Sequence, residues 1–574
     1  MGVPGFFLWL LKKHKGFKFV FNKSDNKSDD NSMEDVDALL IDANCLLHPQ
    51  CFKVLADNPK LTNKFDLEDK MIEGCLEYLK YIIEYTNPKK LIYIAIDGVA
   101  PIAKIKQQRM RRFKSVKEKF LNDKIKKKHG KDIGNYWNNS AITPGTDFMK
   151  RITEGVKNFC EKNNFNNAKI IFSTANTPSE GEHKLLQYIR NNDNDYKYVI
   201  YGLDADLIFL ALSTNRNNMF LLREAQELQR GKNNSKEKLN FVSIDNLKKG
   251  IMQEINDLLY DELIERKLDE ESIIRDFVFV CYFLGNDFLP HIPSIDIKCY
   301  DKKCVNGLDL LLQAYAHTYD NIEDYLILID ENKKISYNQT FLQMFLEYLS
   351  SFEEEFFFNM HNSYKRRYKC SSDDPYVKEL HRIEHLQFKI EDDIELGKDS
   401  QEDWKFRYYK KHYHTEVNQR ELVQNACNKY FEGLIWVANY YFDKCPSWEW
   451  YYPFDHAPFI SDMADFVRKY DFNETKFNLG EPIKPMEQLL CVLPPQSSYL
   501  LPNSCHWLMK SYKSPIIHLY PLDYELDMLY KRKYWECIPI LPDLDIETVK
   551  ESVKEIKFSS NDKEKNVRME ELVF

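Results

Sequence analysis

Four short apolar runs in the first half of the chain have the length of buried parallel strands. They cover residues 36–41, 91–96, 169–172 and 198–203. The stretches between them include segments with helical periodicity, such as 67–85 and 148–162. Strands that alternate with helices along the chain are typical of α/β proteins. The pattern therefore predicts an α/β fold, a doubly wound and mostly parallel sheet with helices on both faces.

The hydrophobic pattern changes after about residue 304, where amphipathic helical segments such as 307–315 and 341–358 begin. A charged, mixed stretch then precedes a region that is rich in aromatic residues. We predict an amino-terminal domain at 1–360, a charged linker at 361–403, and a second, helix- and aromatic-rich region at 404–574 that packs against the first. We also predict polar surface loops at 22–35 and 223–238, and a solvated, frayed segment at 557–568.

The composition is that of a globular protein with two or three domains. Of the 574 residues, 43% are hydrophobic and 29% are charged. No apolar run has the length of a membrane span, and we expect a monomer. The net charge is −9, so a nucleic-acid partner would have to bind a local basic patch. The 14% of aromatic residues either fill a large core or stack on bases.

The cysteines indicate a reducing compartment. The 13 cysteines include no Cys-x-x-Cys pair, so the spacing of a zinc knuckle is absent. The sequence shows no signal peptide. Reduced thiols in the cytoplasm fit this pattern best, with the nucleus as the alternative.

Acidic residues follow the end of every predicted strand, and one more follows a later helix. The set comprises Asp42, Asp97, Glu180, Glu182, Asp204, Asp206 and Asp287. The carboxyl ends of parallel strands meet at one edge of a sheet, where α/β proteins bind their ligands. Asp204 and Asp206 come two residues apart after one strand, which predicts that both side chains point to the same side. A single Asp at a strand end is more often a turn former or a helix cap, but so many in one domain favour metal chemistry.

Seven neighbouring carboxylates would repel one another unless cations neutralised them. Mg²⁺ prefers oxygen ligands and leaves room for a substrate phosphate. Two such ions about 4 Å apart can activate a water molecule and stabilise the leaving oxygen of a phosphodiester. The sequence therefore predicts a catalytic site for two Mg²⁺ ions, with Mn²⁺ as a possible substitute, in which these acids are the metal ligands.

A strongly basic segment follows the second predicted strand. Residues 104–131 contain 13 Lys or Arg and only two acids, so the segment carries a charge of +11. With helical spacing, Lys104, Gln108, Arg111 and Arg112 share one face, which could hold a phosphate. The alternative is a solvated basic helix, the usual role of a run of charges.

Long motifs in both halves of the chain resemble the eukaryotic XRN family of 5′→3′ exoribonucleases. They are MGVP at 1–4, IDGVAP at 96–101, QQR at 107–109, ITPGT at 142–146, EGEHK at 180–184, YGLDADLI at 201–208, GNDFLPH at 285–291 and PSWEWYYP at 446–453. The resemblance covers nearly the whole chain.

The resemblance implies a minimal catalytic core that is built on a PIN/FEN-like nuclease domain. It implies an enzyme that degrades single-stranded RNA with a 5′-monophosphate processively and releases nucleoside 5′-monophosphates. The implied biological role is mRNA decay. The resemblance places the seven acids in the family's Mg²⁺ site, and the four residues of the basic face in its pocket for the 5′-phosphate. His48 matches a histidine that stacks on a 5′ base, and either Trp448 or Trp450 supplies the stacking tryptophan. From the residues alone, His48 could equally hydrogen-bond a loop near the first strand.

Two other functions compete with this interpretation. A flap endonuclease would share the acidic domain, but its last metal-binding Asp is followed by a glycine-rich helix–hairpin–helix, and residues 290–296 lack those glycines. An inactive RNA-binding scaffold should have lost acids of the site, yet all seven are present. The match to the family is incomplete at Ser179, where the family often has glycine, and at 22–35, which resembles an insertion.

Overall fold

The computed structural model describes Trp9, Lys13 and residues 20–21, 35–134, 136–224, 239–259, 267–297, 305–331, 334–363, 370–417 and 419–574. The strands are β1 (Val20–Phe21), β2 (Ala38–Asp42), β3 (Leu91–Ala95), β4 (Lys169–Ser173), β5 (Tyr198–Tyr201), β6 (Met219–Glu224), β7 (Leu239–Ser243), β8 (Ile327–Ile329), β9 (Ile335–Tyr337), β10 (Leu526–Asp527), β11 (Ile538–Pro539) and β12 (Leu572–Val573). Eight of them form one sheet in the order β1-β7-β6-β5-β2-β3-β4-β12, and the others form two small hairpin sheets.

The five central strands of the sheet, from β6 to β4, are parallel, and antiparallel strands join at both edges. The predicted strands correspond to β2, β3, β4 and β5, with ends within two residues of the expected positions. The predicted mostly parallel α/β sheet is therefore confirmed. The sequence pattern missed β6, so the surface loop predicted from 223 is wrong at its start, because Arg223 belongs to this strand and is buried. The rest of that loop, and 22–34, lie outside the described residues.

The helices are α1 (Ala43–Asp57), α2 (Lys64–Thr86), α3 (Ile102–Lys128), α4 (Asp147–Lys162), α5 (Gly181–Asn191), α6 (Asp206–Ser213), α7 (Ile244–Leu258), α8 (Glu270–Val280), α9 (Gly307–Ile322), α10 (Gln339–Ser350), α11 (Glu353–Ser363), α12 (Pro375–Glu384), α13 (Gln401–Tyr413), α14 (Gln419–Phe442), α15 (Ile460–Val467), α16 (Pro485–Val492), α17 (His506–Lys510), α18 (Ile546–Lys554) and α19 (Ser560–Lys565). The helix predicted at 341–358 is split between α10 and α11. None of the helices in the described ranges is long and apolar enough to span a membrane.

Alternate residues of β2 face two separate cores. Leu39 and Ile41 pack with side chains from α1, α2 and α4 on one face. Leu40 packs on the other face with side chains from α5, α6 and α8. Because successive side chains of a strand point to opposite faces, a strand that is buried on both sides reads as one continuous apolar run. The acidic residues at the strand ends therefore lie at the rim between two helical layers.

The second region packs directly on one of these cores. Leu434 and Trp436 of α14 belong to the same buried cluster as Leu40 of the sheet. The predicted association of a helix- and aromatic-rich region with the α/β domain is therefore confirmed. Within the predicted linker, Ile394 and Leu396 are buried against α11 and α13. The exact domain boundaries remain a prediction.

The end of the chain is ordered by contacts with the α/β domain. Residues 557–568 include α19, and Lys565 is buried, with its Nζ 2.6 Å from an Asp147 carboxylate oxygen. Leu572 of β12 then pairs with Phe172 of β4 at the edge of the sheet. Most residues of 557–568 are exposed, as predicted, but the predicted fraying is wrong, because the segment forms α19 and its Glu564 and Lys565 pair with α4.

Candidate active site

The carboxylates of Asp42 and Asp97 lie close together at the carboxyl edge of the sheet. Asp42 ends β2 and caps α1, accepting a hydrogen bond from the Asn44 amide at 3.1 Å. The Asn44 side chain donates to Asp97 Oδ2 at 2.7 Å, and the Asp97 amide donates back to Asn44 Oδ1 at 3.2 Å. Asn44 thus orients both carboxylates. Sequence reasoning missed this role, although Asn44 lies only two residues after Asp42.

Gly181 allows the first turn of α5 to approach these carboxylates closely. Its amide donates to Asp97 Oδ1 at 2.6 Å. A Cβ at this position would lie 2.9 Å from Asp42 Oδ1 and 3.2 Å from Asp97 Oδ1, so any side chain would push the carboxylates away. The approach carries Glu180 and Glu182, which flank the glycine, into the same site, where both are buried.

Glu180 and Glu182 have different partners. Glu180 Oε1 accepts a hydrogen bond from the Tyr440 hydroxyl at 3.1 Å, and its other oxygen contacts the ammonium of Lys104. Glu182 Oε2 is buried without a hydrogen-bond partner. Buried polar atoms are rarely left unsatisfied, so this oxygen is available to a ligand that the protein itself does not supply.

Asp204 and Asp206 occupy different environments. β5 ends at Tyr201, and Asp206 is the buried first residue of α6, whereas Asp204 lies in the exposed connection between them. Both residues follow the strand, as predicted, and the expectation that their side chains point to the same side stays a prediction. Both charges still act on the same cluster: burial raises the pKa of Asp206 to about 6, and the nearby charge of Asp204 adds to that increase.

Lys104, in the first turn of α3, connects the two sides of the acidic cluster. Its Nζ lies 2.7 Å from Asp287 Oδ2 and also contacts Glu180. Asp287 follows a short 3₁₀ turn (Cys281–Leu284) that extends α8. Its Oδ1 accepts a hydrogen bond from Gln107 Nε2 at 3.4 Å. The structure therefore places Lys104 among the carboxylates, where it acts as their counter-ion.

Burial and mutual repulsion raise the pKa of several acids in the cluster. Burial, with the charge of Asp97 adding to it, raises the pKa of Asp42 to about 7. Burial also raises the pKa of Asp97 and, more strongly, of Glu182. Burial disfavours the charged form of Lys104, but the surrounding carboxylates outweigh this and raise its pKa. A site with these properties attracts cations.

The ligand set fits a hard divalent cation. Every acid in the cluster offers oxygen ligands, which Mg²⁺ prefers, and the Glu182 oxygen lacks any other partner. Within the described ranges, no three of these acids bring one ligand atom each within 4.8 Å of one another. Lys104 lies between Glu180 and Asp287 instead. Cation binding would therefore draw the carboxylates inward and compete with the ammonium.

Arg112 provides a half-buried cation further along α3. Its NH2 group donates to Thr143 Oγ1 at 2.8 Å, and its NH1 group is buried without a hydrogen-bond partner. No carboxylate pairs with it among the residues that the structure describes. Burial, with the charge of the exposed Arg111 adding to it, lowers the pKa of Arg112 to about 9. A half-buried guanidinium with a buried, unpartnered NH1 group and no counter-ion is a favourable place for an anion.

Gln108 and His48 lie beside the two arginines. Gln108 is 9% exposed, and its Oε1 is buried without a partner. His48, on α1, is half-buried, and burial together with the charges of Arg111 and Arg112 lowers its pKa to about 4. The structure therefore brings the predicted stacking histidine next to the predicted phosphate-binding face.

Other cations of α3 anchor the second region. Lys106 donates to Tyr452 O at 3.2 Å, and Arg109 NH1 donates to Cys491 O at 3.0 Å. Lys114 donates to a backbone carbonyl of the same region at 3.0 Å. The basic helix is therefore not merely a solvated run of charges, because one set of its cations faces the candidate site and another holds the two regions together.

The two candidate tryptophans have different surroundings. Trp450 stacks on Trp436 with ring centroids 5.5 Å apart, and its Nε1 donates to Glu432 Oε2 at 3.3 Å. The Trp448 carbonyl accepts a hydrogen bond from the Ile102 amide at 2.9 Å, which ties it to the start of α3. The side chain of Trp448 is half-buried and lines a cavity of about 470 Å³. The fold thus holds the Trp450 ring in a packed stack, whereas Trp448 borders open space.

A second cavity, of about 490 Å³, opens beside Asp287. Residues that sequence reasoning did not single out contribute to its lining, among them Gln107, His291, Lys531 and Trp535. His291 could have been noticed, because it ends the motif at 285–291. Lys531 and Trp535 carry no local signal, since only the packing of the second region brings them to α3.

A mostly parallel α/β sheet with acids gathered at its carboxyl edge is the architecture of an α/β nuclease. The family model "XRN 5'-3' exonuclease N-terminus" matches residues 1–225, and the model "Xrn1 helical domain" matches 267–384 and 369–574. The chain therefore belongs to the XRN 5′→3′ exonuclease family, as its motifs predicted.

Curated relatives agree with this assignment. The chain is 27% identical to 5′-3′ exoribonuclease 2 of Candida albicans, with 96% of this chain and 72% of the relative aligned. It is 28% identical to 5′-3′ exoribonuclease 2 of Arabidopsis thaliana, over 98% of this chain and 68% of the relative. It is 29% identical to human 5′-3′ exoribonuclease 1, over 98% of this chain but only 35% of the relative. The prediction of an enzyme of the 5′→3′ exoribonuclease class is confirmed.

Proposed function

We propose that the chain hydrolyses single-stranded RNA processively from a 5′-monophosphate end and releases nucleoside 5′-monophosphates. The observation that carries this proposal is the position of Arg112, a half-buried guanidinium whose buried NH1 group has no partner, on the same helix as Lys104. Eight residues separate the two, which is roughly 12 Å along a helix axis. A phosphate at Arg112 would leave the next phosphodiester close to the acidic cluster.

The acidic cluster would hold two Mg²⁺ ions in this proposal, with Mn²⁺ able to replace them. Bound divalent ions supply an activated water molecule and stabilise the leaving oxygen of the phosphodiester. The protein contributes the positions of the ligands: Asn44 orients Asp42 and Asp97, and Tyr440 holds Glu180.

We assign the terminal phosphate to Arg111, Arg112 and Gln108, with Lys104 at the boundary between this pocket and the acidic cluster. His48 is the candidate platform for the first base, because its low pKa keeps the ring neutral beside the two arginines. Trp448 is the better candidate for the stacking tryptophan, since Trp450 already stacks on Trp436. Each base stacked on an aromatic ring would contribute about 1–3 kcal/mol, which favours a strand that stays bound between cuts.

The proposed biological role is RNA decay, including mRNA decay, by a monomer that acts in the cytoplasm, with the nucleus as the alternative compartment. The state of the thiols supports a reducing compartment: all 11 cysteines in the described ranges are free. We keep the division into 1–360, 361–403 and 404–574 as a proposal for limited proteolysis to test.

One assay tests the proposed activity. Single-stranded RNAs of one sequence, labelled at the 3′ end, would carry a 5′-monophosphate, hydroxyl, triphosphate or cap. With Mg²⁺, we expect the monophosphate RNA to disappear without stable intermediates and the capped RNA to persist. Release of mononucleotides would be followed in parallel with a uniformly labelled RNA. Internal cuts, or a product series that shortens from the 3′ end, would contradict the proposal.

A further inference from the structure

Three side chains from distant parts of the second region meet beside the cavity that borders Asp287. His412 lies in the last turn of α13, His456 lies in the segment before α15, and Asp527 ends β10. One potential ligand atom from each of the three lies within 4.8 Å of the other two. No other group of His, Cys, Asp or Glu residues in the described ranges satisfies this criterion.

The carboxylate of Asp527 lies at the edge of both imidazoles. Its Oδ2 is 2.8 Å from His456 Nε2 and 3.9 Å from His412 Nδ1, and the second distance is too long for a hydrogen bond. Ligand atoms on a tetrahedral zinc ion, each about 2.0–2.1 Å from the metal, lie roughly 3.3 Å apart. The two observed separations fall on either side of that value, so the ligand atoms are already near bonding distance of one another. The two imidazoles stack, and one ring must turn before both nitrogens can point at a single ion.

The surroundings of this triad limit its access to solvent. The side chains of His412, His456 and Asp527 are 6%, 14% and 10% exposed. The two imidazoles stack with centroids 3.7 Å apart, and the Tyr408 ring covers His412 at 4.7 Å. His456 Nδ1 is buried without a hydrogen-bond partner, so the His456–Asp527 contact does not satisfy both ring nitrogens. Both histidines line the cavity of about 490 Å³, which leaves space for a fourth ligand such as water.

We propose that His412, His456 and Asp527 bind one Zn²⁺-like transition-metal ion that joins α13, the segment before α15 and β10. Two imidazole nitrogens and one carboxylate oxygen are a common protein ligand set for zinc, with water completing the coordination. The ion would replace the His456–Asp527 hydrogen bond and bring His412 into the bonded group. This site shares no ligand with the proposed nuclease centre, although the same cavity also borders Asp287, and it does not depend on that function.

The test measures binding of Zn²⁺ itself by calorimetry, in the presence of excess Mg²⁺ to occupy the acidic cluster. Co²⁺ titration followed by visible absorption reports the ligands, because histidine and carboxylate ligation lacks the thiolate charge-transfer band that cysteine sites produce. The variants are His412→Gln and Asp527→Asn, which keep the size of the side chains. The matched control is His385→Gln, since His381 and His385 also stack, at 3.8 Å, but His385 Nε2 faces Lys533 at 2.5 Å instead of a carboxylate.

We expect the wild type and His385→Gln to bind one more Zn²⁺ per chain than His412→Gln. The affinity for this Zn²⁺ should fall by a factor of about 100 or more in both His412→Gln and Asp527→Asn. Loss of a residue that only supports a metal ligand typically costs about 10- to 100-fold, so a larger loss indicates direct ligands. Zn²⁺ should raise the thermal midpoint of the wild type and not that of His412→Gln. Equal stoichiometry in the wild type and His412→Gln, or a Co²⁺ spectrum with thiolate bands only, would overturn the proposal. So would a wild type that binds no Zn²⁺, which would leave Lys531 of the same cavity as the counter-ion of Asp527.

Discussion

Lys104 Nζ lies 2.7 Å from Asp287 Oδ2, so the ammonium group stands inside the acidic cluster that we assign to divalent cations. The same side chain contacts Glu180 and is 12% exposed. An internal cation in this position neutralises the carboxylates when no metal is bound, and it must share or give up its partners when one binds. This competition makes the role of Lys104 testable apart from catalysis.

The first prediction concerns Lys104→Met. When a chelator removes divalent metal, loss of the Lys104 ammonium leaves buried carboxylates unpaired. The free energy of unfolding should then fall by about 3–5 kcal/mol, the scale of breaking a buried ion pair. Saturating Mg²⁺ should then raise the thermal midpoint of the variant more than that of the wild type, because the metal replaces the missing charge. Thermal unfolding with EDTA and with Mg²⁺ measures both effects. Lys124→Met, an exposed site on α3, is the control, and equal Mg²⁺ responses in wild type and Lys104→Met would contradict this account.

The second prediction separates Asp204 from Asp206. Asp204→Asn and Asp206→Asn should each lower the rate of RNA hydrolysis by about 100-fold or more, because each removes a charged ligand position. Asp204 is exposed, so its variant should keep the stability of the wild type within about 0.5 kcal/mol. Cleavage of 3′-labelled RNA and urea unfolding provide the two readouts, with Asp193→Asn, at another exposed Asp, as the control. Near-normal hydrolysis at saturating Mg²⁺ in either variant would remove that residue from the site.

The sheet and its acids could be predicted because their signals are local. A strand buried on both faces is a short apolar run, and an acid at its end marks the rim of the sheet. Asp42 and Asp97 were found in this way, and both lie where the parallel strands end. The strand β5 ends at Tyr201, two residues before its predicted end, and Asp204 and Asp206 follow it as the sequence predicts.

The contacts between the two regions could not be predicted from the sequence. Arg109 looks like its neighbour Arg111 in the basic run, yet it is buried and donates to Cys491 O, 382 positions away. Lys565 looks like a solvated lysine, but it pairs with Asp147. The triad of His412, His456 and Asp527 likewise has no spacing that marks it as a site. Each depends on tertiary packing, which local periodicity does not encode.

The third prediction is a dependence of metal-free stability on pH. Asp42 and Asp206 have folded-state pKa values of about 7 and about 6, above the ordinary 3.8 expected for the unfolded chain. The folded state therefore holds these protons more tightly, so the stability that these two groups contribute is fully present below about pH 4 and is lost as pH rises toward about 7. We expect urea unfolding in EDTA to show lower stability at about pH 8 than at about pH 5. Asp42→Asn should flatten this slope, and so should Mg²⁺; a slope unchanged by both would contradict the assignment.

The fourth prediction concerns end recognition by Arg112. The substitution Arg112→Ala should cost about 1.5–3 kcal/mol of transition-state stabilisation on 5′-monophosphate RNA, which is the scale of a charged hydrogen bond. The same substitution should cost much less on 5′-hydroxyl RNA, because that end carries no terminal phosphate. The measurement is kcat/KM on both substrates. Thr143→Val should give a smaller loss in the same direction, because Thr143 only orients the guanidinium. Lys124→Ala serves as the control, and an equal loss on both substrates would show that Arg112 does not read the phosphate.

The last prediction distinguishes the aromatic residues near the proposed path of the RNA. Trp450→Ala should lower the free energy of unfolding by up to about 5 kcal/mol, since the Trp450 ring stacks on the buried Trp436. Trp448→Ala and His48→Ala should keep most of the stability but pause on an RNA with a stem downstream of a single-stranded 5′ leader. Each removes stacking energy of about 1–3 kcal/mol that would help to pull the strand through. The assay is a time course with 3′-labelled RNA, run beside thermal unfolding of each variant.

Phe52→Ala, at an exposed ring on α1, is the control for a general effect of losing an aromatic residue. If Trp450→Ala pauses at the stem with undiminished stability while Trp448→Ala does not, the assignment of the two tryptophans is reversed. If neither His48→Ala nor Trp448→Ala pauses, stacking at these residues does not drive movement along the RNA.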